Sequence, residues 1–170
     1  LYIEEAQPGD ILKVKIDKID LNPTGLMRAS TSGGAFNDLV EYRKVRQFDT
    51  SGEYIQFNDK LRFPIDTMIG VIGTAPKTDT VMTHTPGSHG GNMDCNKIVA
   101  GSTLYLPVNV PGALLSMGDL HALMGDGEVM ICGLETGGEV TVTVEVVKNF
   151  PMPTPALSCR GQFYTIQSAN

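Results

Sequence analysis

Glycine and proline interrupt this chain so often that no long helix can run through it. Nineteen Gly and ten Pro are spread over 170 residues, and few stretches between them carry apolar residues at helical spacing. Such punctuation favours short strands joined by tight turns. The expected fold class is therefore mainly β, a β-barrel or β-sandwich with long functional loops and few helices. At this length, with 41% hydrophobic residues, residues 1–170 are expected to form a single domain with a buried core.

Strand periodicity is clearest at residues 139–148, where Val140, Val142, Val144 and Val146 alternate with Thr141, Thr143 and Glu145. Residues 11–20, entered through the turn Pro8-Gly9-Asp10, place Leu12, Val14 and Ile16 on one face and Lys13, Lys15 and Asp17 on the other. Shorter strands are expected at 53–57, 69–73, 103–108, 128–134 and 162–167. Two segments, 22–40 and 74–101, match neither period, and loops of that length in a compact domain are commonly functional.

Thirteen Lys and Arg against nineteen Asp and Glu give a net charge of -6, which repels a phosphate backbone and argues against a nucleic-acid partner. No apolar run reaches the roughly 18–20 residues of a membrane span, and residues 1–20 carry no basic-then-apolar leader pattern. Three cysteines, Cys95, Cys132 and Cys159, are an odd number without a C-x-x-C pair. A disulfide framework or zinc knot is thus not expected, and a reducing cytoplasm fits.

The densest polar run is His89-Gly90-Gly91-Asn92-Met93-Asp94, followed by Gly118-Asp119-Leu120-His121 and Gly125-Asp126-Gly127-Glu128. In extended chain, Asp119 and His121 share a face, as do Asp126 and Glu128. Imidazole with carboxylates suits zinc at a site that keeps a position open for water. The plainer alternative makes Asp119 and Asp126 turn residues and His121 a hydrogen-bonded strand histidine. Gly90 and Gly91 can present backbone N–H groups to an oxyanion, or simply form a hairpin or bulge. Asn92 can donate to a developing oxyanion, and Asp94 can bind a metal or act as a base. A thiolate mechanism at Cys95 is the rival, disfavoured by the adjacent Asp94 charge. Cys132, alternating with Glu128 and Met130, reads as a small core residue.

Four ordered motifs carry a resemblance. They are Ile69-Gly70-Val71-Ile72-Gly73-Thr74-Ala75-Pro76, the His89–Asp94 run, Gly101-Ser102-Thr103-Leu104-Tyr105-Leu106-Pro107-Val108, and Pro111-Gly112-Ala113-Leu114-Leu115-Ser116-Met117-Gly118-Asp119-Leu120-His121-Ala122, closed by Gly125-Asp126-Gly127-Glu128. In this order they resemble the acetamidase/formamidase family of amidohydrolases. The resemblance implies hydrolysis of a short linear amide, formamide or acetamide, to a carboxylic acid and ammonia. It also implies a mostly β architecture and a divalent metal, zinc first, with calcium or another divalent ion as alternatives.

Carried onto matching positions, the resemblance makes His121, Asp94 and Glu128 metal ligands, and Asp94, Asn92 and Glu128 the catalytic groups. His89, Gly90 and Gly91 fall on the substrate side. Family members are longer, so the chain is expected to be a trimmed core that associates with the missing terminal segments and, as is common, with copies of itself. Two competing readings are a non-catalytic β module that binds a divalent cation or small polar ligand, and a structural domain whose Gly-Asp turns punctuate the fold.

Overall fold

The computed structural model describes residues 1–78 and 80–166. Twelve strands appear among them, and the helical content is two single 3-10 turns, Asn37–Leu39 and Asp126–Glu128. The longest strand, β1 (Ile11–Ala29), organises the rest. One edge pairs with β10 (Glu135–Val147) from Ile11↔Val147 to Leu26↔Glu135. The other is divided between β8 (Thr103–Pro107), beside residues 11–15, and β2 (Lys44–Asp49), beside residues 24–29. The hairpin β3 (Tyr54–Gln56) and β4 (Arg62–Pro64) stands apart from this sheet.

Beyond β10 the sheet continues through β9 (Ser116–His121), β5 (Met68–Gly73), β7 (Gly90–Asn92) and β6 (Pro86–Gly87). On the other side, β8 leads to β11 (Ala156–Cys159) and β12 (Gln162–Thr165). Every pairing is antiparallel. The sheet curls into a half-barrel, as the mainly β expectation required.

The expected strand at 11–20 runs nine residues further, into the segment 22–40 that matched neither period. Register shifts between Ile16 and Lys18 and between Leu21 and Gly25 explain the extension. The second bulge takes Pro23 out of the β10 ladder, where its missing N–H would otherwise cost a hydrogen bond. Bulges also bend the strand and increase its twist, which curls the sheet.

The strand expected at 128–134 is absent. Gly127 (φ 77°) and Glu128 (φ 41°) turn the chain through the left-handed region, giving the 3-10 turn and a bend instead. Cys132 consequently lies half-buried rather than in a strand core, with its Sγ accepting from the Arg28 N–H at 3.2 Å. The segment 74–101, which matched no period, contributes β6 and β7. Of the strand expected at 162–167, Gln162–Thr165 forms, while Gln167 lies outside the described residues.

Leu12, Val14, Ile16, Ile69, Ile72, Leu104, Leu106 and Leu157 are fully enclosed in one apolar cluster. Alternation at 11–16 put Leu12, Val14 and Ile16 in that set. In the valine strand, Thr141, Thr143 and Glu145 point to solvent as expected, but Val140, Val142 and Val146 are only half-buried and Val144 is exposed. Truncating the fully buried Leu104, on β8 between β1 and β11, to alanine is expected to lower unfolding free energy by about 2–5 kcal/mol. The check is a urea midpoint, which should fall at unchanged slope.

The loop before β1 is tied by Asp10, which is 5% exposed and accepts from the N–H groups of Gln7 (2.9 Å) and Asn149 (3.2 Å) and from Lys148 Nζ (3.0 Å). These donors, the Gln7 amide foremost, hold its carboxyl below the usual aspartate range. No helix among the described residues is long and apolar enough to cross a membrane.

Candidate functional site

The chemistry gathers where β9 ends. β5 runs beside β9 with Met68↔His121 and Ile69↔Leu120, and β10 begins opposite it with Glu135↔His121. His121 is fully buried between them. Asp119, two residues earlier, shares its face as the i, i+2 spacing predicted, with Oδ1 3.5 Å from His121 Nε2. Glu135 Oε2 lies 3.1 Å from the same nitrogen. Neither contact is aligned as a hydrogen bond, and neither ring nitrogen has a hydrogen-bond partner among the described residues.

Two further acids complete the cluster. Ligand atoms of Asp94, His121 and Glu128 all lie within 4.8 Å of one another, and those of Asp119, His121 and Glu135 meet the same limit. Asp94 reaches the ring from the chain after β7, with its N–H on the carbonyl of Gly70 at 3.2 Å. Its Oδ1 is buried and has no hydrogen bond. Glu128 comes from the 3-10 turn, where its Oε1 accepts from the N–H of Gly133 at 2.9 Å. Asp94, Asp119 and Glu128 all have positive φ, of 41°, 58° and 41°. Backbone strain of this kind costs about 1–3 kcal/mol per residue and tends to collect at functional sites.

Burial raises the Asp94 and Glu128 carboxyls above their usual range, and neighbouring acids push in the same direction. For His121, burial opposes the charged form, but the facing carboxylates of Asp119 and Glu135 outweigh it and push the imidazole up to about 10. Asp119 is correspondingly lowered, chiefly by His121.

Two glycines leave room for this crowding. A Cβ on Gly70 would stand 2.7 Å from Asp119 Oδ2 and 2.8 Å from Asp94 Oδ1. A Cβ on Gly133 would stand 2.5 Å from His121 Nδ1.

The sequence-predicted residues divide into two groups. Asp94, His121 and Glu128 come together. Asp126 does not join them, because the 3-10 turn cancels the shared extended face and leaves it exposed, accepting from Asn96 Nδ2 at 2.6 Å. Cys95 packs against the apolar cluster. His89, Gly90 and Gly91 lie one strand further out, with β7 flanked by β5 and β6. His89 lines a cleft of about 290 Å³ with Val71, Thr74 and Ser116, and burial lowers its pKa.

Asn92 and Asp119 face a neighbouring cleft of about 470 Å³, which shares Val71 and Ser116 with the first. Asn92 Oδ1 is buried without a partner, and its Nδ2 reaches the His84 carbonyl only at 3.5 Å. Sequence reasoning missed Glu135. Only the cross-strand pairing with His121 brings it into the cluster, and that register is not visible in a local pattern.

The model of the acetamidase/formamidase family matches residues 78–162. A solved structure of a predicted acetamidase/formamidase from Thermoanaerobacter tengcongensis superposes with a TM-score of 0.91 at 45% identity, covering 94% of this chain and 53% of that one. An acetamidase structure from Bacillus halodurans gives a TM-score of 0.91 and 45% identity, covering 94% and 54%. An acetamidase of Mycolicibacterium smegmatis is 41% identical over 83 residues, which cover 48% of this chain and 20% of that protein. The chain thus spans about half the length of the solved relatives.

Proposed function

The chain belongs to the acetamidase/formamidase family, and on that premise we propose that the complete protein hydrolyses a short linear amide, such as formamide or acetamide, to a carboxylate and ammonia. The observation that carries this reading is the buried His121, unbonded at both nitrogens and ringed by carboxylates, beside a cleft into which Asn92 faces.

A divalent ion fits this cluster on chemical grounds. A buried imidazole without a hydrogen bond and a buried, unpartnered carboxylate oxygen are costly unless something positive satisfies them. His121, Asp94 and Glu128 would hold it, and the mixed nitrogen and oxygen donor set favours zinc over calcium. Bound there, such an ion supplies Lewis acidity toward the amide carbonyl and lowers the pKa of water.

The chain's own groups do the rest. Asn92 Nδ2, held only weakly by the His84 carbonyl, donates to the carbonyl oxygen as it gains charge. Water adds to the amide carbon, the carbon–nitrogen bond breaks, and the nitrogen must leave protonated. Whichever of Asp94 and Glu128 is left free of the ion is the carboxyl placed to relay that proton. His89 with Gly90 and Gly91 forms the outer wall on the substrate side. A cytoplasmic homo-oligomer completes the reading, with sedimentation as the check on assembly.

The test is ammonia release from formamide and acetamide, metal-stripped and zinc-loaded, for this chain and for a full-length family form that contains it. His121→Ala or Asp94→Asn in the active form is expected to reduce turnover to background, and retention of turnover by either variant overturns the proposed mechanism. Zinc binding without turnover in both lengths would favour a cation-binding module instead.

A further inference from the structure

The cleft that Asn92 and Asp119 face does not end at the reacting groups. Strand register gives its direction: along β5, His121 stands opposite Met68, then Gly118 and Asn92 opposite Val71, then Ser116 opposite Gly73. The first cleft, of about 470 Å³, takes in Asn92, Gly118 and Asp119. The second, of about 290 Å³, continues from it, since Val71, Thr83 and Ser116 line both. A substrate whose carbonyl oxygen sits at Asn92 therefore has the second cleft on the side away from His121.

The second cleft differs from the first in chemistry. Val71, Ala75, Pro76, Val81, Met82 and Leu114 line it. Among its polar side chains, Thr74 directs its hydroxyl to the Pro107 carbonyl at 2.7 Å. The His89 ring crosses Gly91 so closely that a Cβ there would stand 3.0 Å from Nε2, and burial holds that ring toward its neutral form. Two of the apolar side chains are left open to solvent, Met82 at 64% exposure and Leu114 at 46%. Leu114 lies between the buried Ala113 and Leu115, and it follows Ala113 through the left-handed region, at φ 55° and 54°. Two successive non-glycine residues there are strained, and the strain holds a large apolar side chain at the cleft instead of in the core. An apolar occupant would cover this surface. Formamide has no carbon to place there, and acetamide has only its methyl group.

We propose that the second cleft is an acyl-chain subsite, and that the full-length protein prefers straight-chain aliphatic amides such as butanamide and pentanamide to formamide and acetamide. The proposal rests on the reading of the protein as a linear-amide hydrolase with the carbonyl at Asn92, and adds the length of the acyl group. From Val71 to Gly73 is two residues of strand, about 6–7 Å, which the carbon chain of pentanamide spans. Each methylene taken from water into such a cleft strengthens binding by up to roughly fourfold.

The experiment is kcat/KM, by ammonia release, of a full-length form containing this chain on formamide, acetamide, propanamide, butanamide and pentanamide. A rise of about 10-fold or more from acetamide to pentanamide is the expected result. A profile that peaks at formamide or acetamide and falls with every added methylene overturns the proposal and leaves the amidase reading standing, whereas no ammonia from any of the five overturns both. The place of the chain is tested by V81F, which fills the second cleft, and by M82A, which trims its exposed wall. For each the readout is the ratio of kcat/KM on pentanamide to that on acetamide, which a loss of folded enzyme does not move. V81F is expected to lower the ratio about 10-fold and M82A about threefold. An unchanged ratio in either variant overturns the placing of the acyl chain in this cleft.

Discussion

Gly133→Ala is expected to abolish tight zinc binding and to lower kcat/KM of the active full-length form by about 100-fold. The substitution adds one methyl group and no charge. Its Cβ would lie 2.5 Å from His121 Nδ1, 2.8 Å from Cγ and 2.9 Å from Cε1, all inside van der Waals contact. The ring is fully buried between β5 and β10 and cannot swing into solvent. It must shift by about 1 Å, and a displacement of that size at a reacting centre typically costs on the order of 10²-fold in rate.

The backbone accepts alanine here, because Gly133 does not occupy the left-handed region, so the loss is not a folding defect of the turn itself. The Gly133 N–H also holds Glu128 Oε1, so a shift of this backbone moves a ligand and the histidine together. Gly125→Ala is the control, with nothing within 4 Å of its Cβ and no positive φ. It is expected to bind zinc and turn over as the parent does. Unchanged zinc affinity in Gly133→Ala would show that the imidazole does not need its present position.

How much of the fold and site is legible in the sequence follows from which interactions are local. Alternation reads burial of one face directly, so the pattern of residues 11–16 by itself identifies Leu12, Val14 and Ile16 as core. The two-residue spacing also brings Asp119 beside His121, although the backbone of Asp119 itself turns through φ 58°. It fails for Asp126 and Glu128, where Gly127 at φ 77° turns a two-residue spacing into a change of direction. Glycine-rich turn chemistry is visible in Gly125-Asp126-Gly127-Glu128, and giving it precedence over the period removes the false strand.

The extension of β1 past Pro23 is not visible in alternation, since it depends on a bulge that lets a strand pass through a residue that ordinarily ends one. Glu135 is out of reach for a different reason. It joins the site only through its register with His121, set by the β9–β10 and β1–β10 pairings. Resemblance and motif order point to Asp94, His121 and Glu128, whereas their convergence is a property of the folded sheet.

Raising the pH should steadily lower the melting temperature of the metal-stripped chain. Burial alone would lower the His121 pKa, but Asp119 and Glu135 push it to about 10, against 6.5 for the free side chain. The folded chain therefore binds this proton more tightly than the unfolded chain. That contribution to stability is complete below pH 6.5, erodes as pH rises, and is lost above about 10. Within that window the loss is on the order of 1 kcal/mol per pH unit. Asp94 and Glu128, raised chiefly by burial, carry the same sign at lower pH, because each also holds its proton more tightly in the folded state.

A zinc-loaded chain should behave differently, since the ion takes the place of the proton on the imidazole and competition from protons weakens as pH rises. Thermal melts from pH 6.5 to 10 are the check. The stripped chain should lose Tm steadily, the zinc-loaded chain should hold it, and zinc added to the stripped chain at pH 7 should release protons into a weakly buffered solution. A His121→Asn chain, stripped of metal, should lose most of the slope. A stripped parent whose Tm stays flat across the window would mean that His121 is already neutral there, and that Asp119 and Glu135 do not act on it as their distances imply.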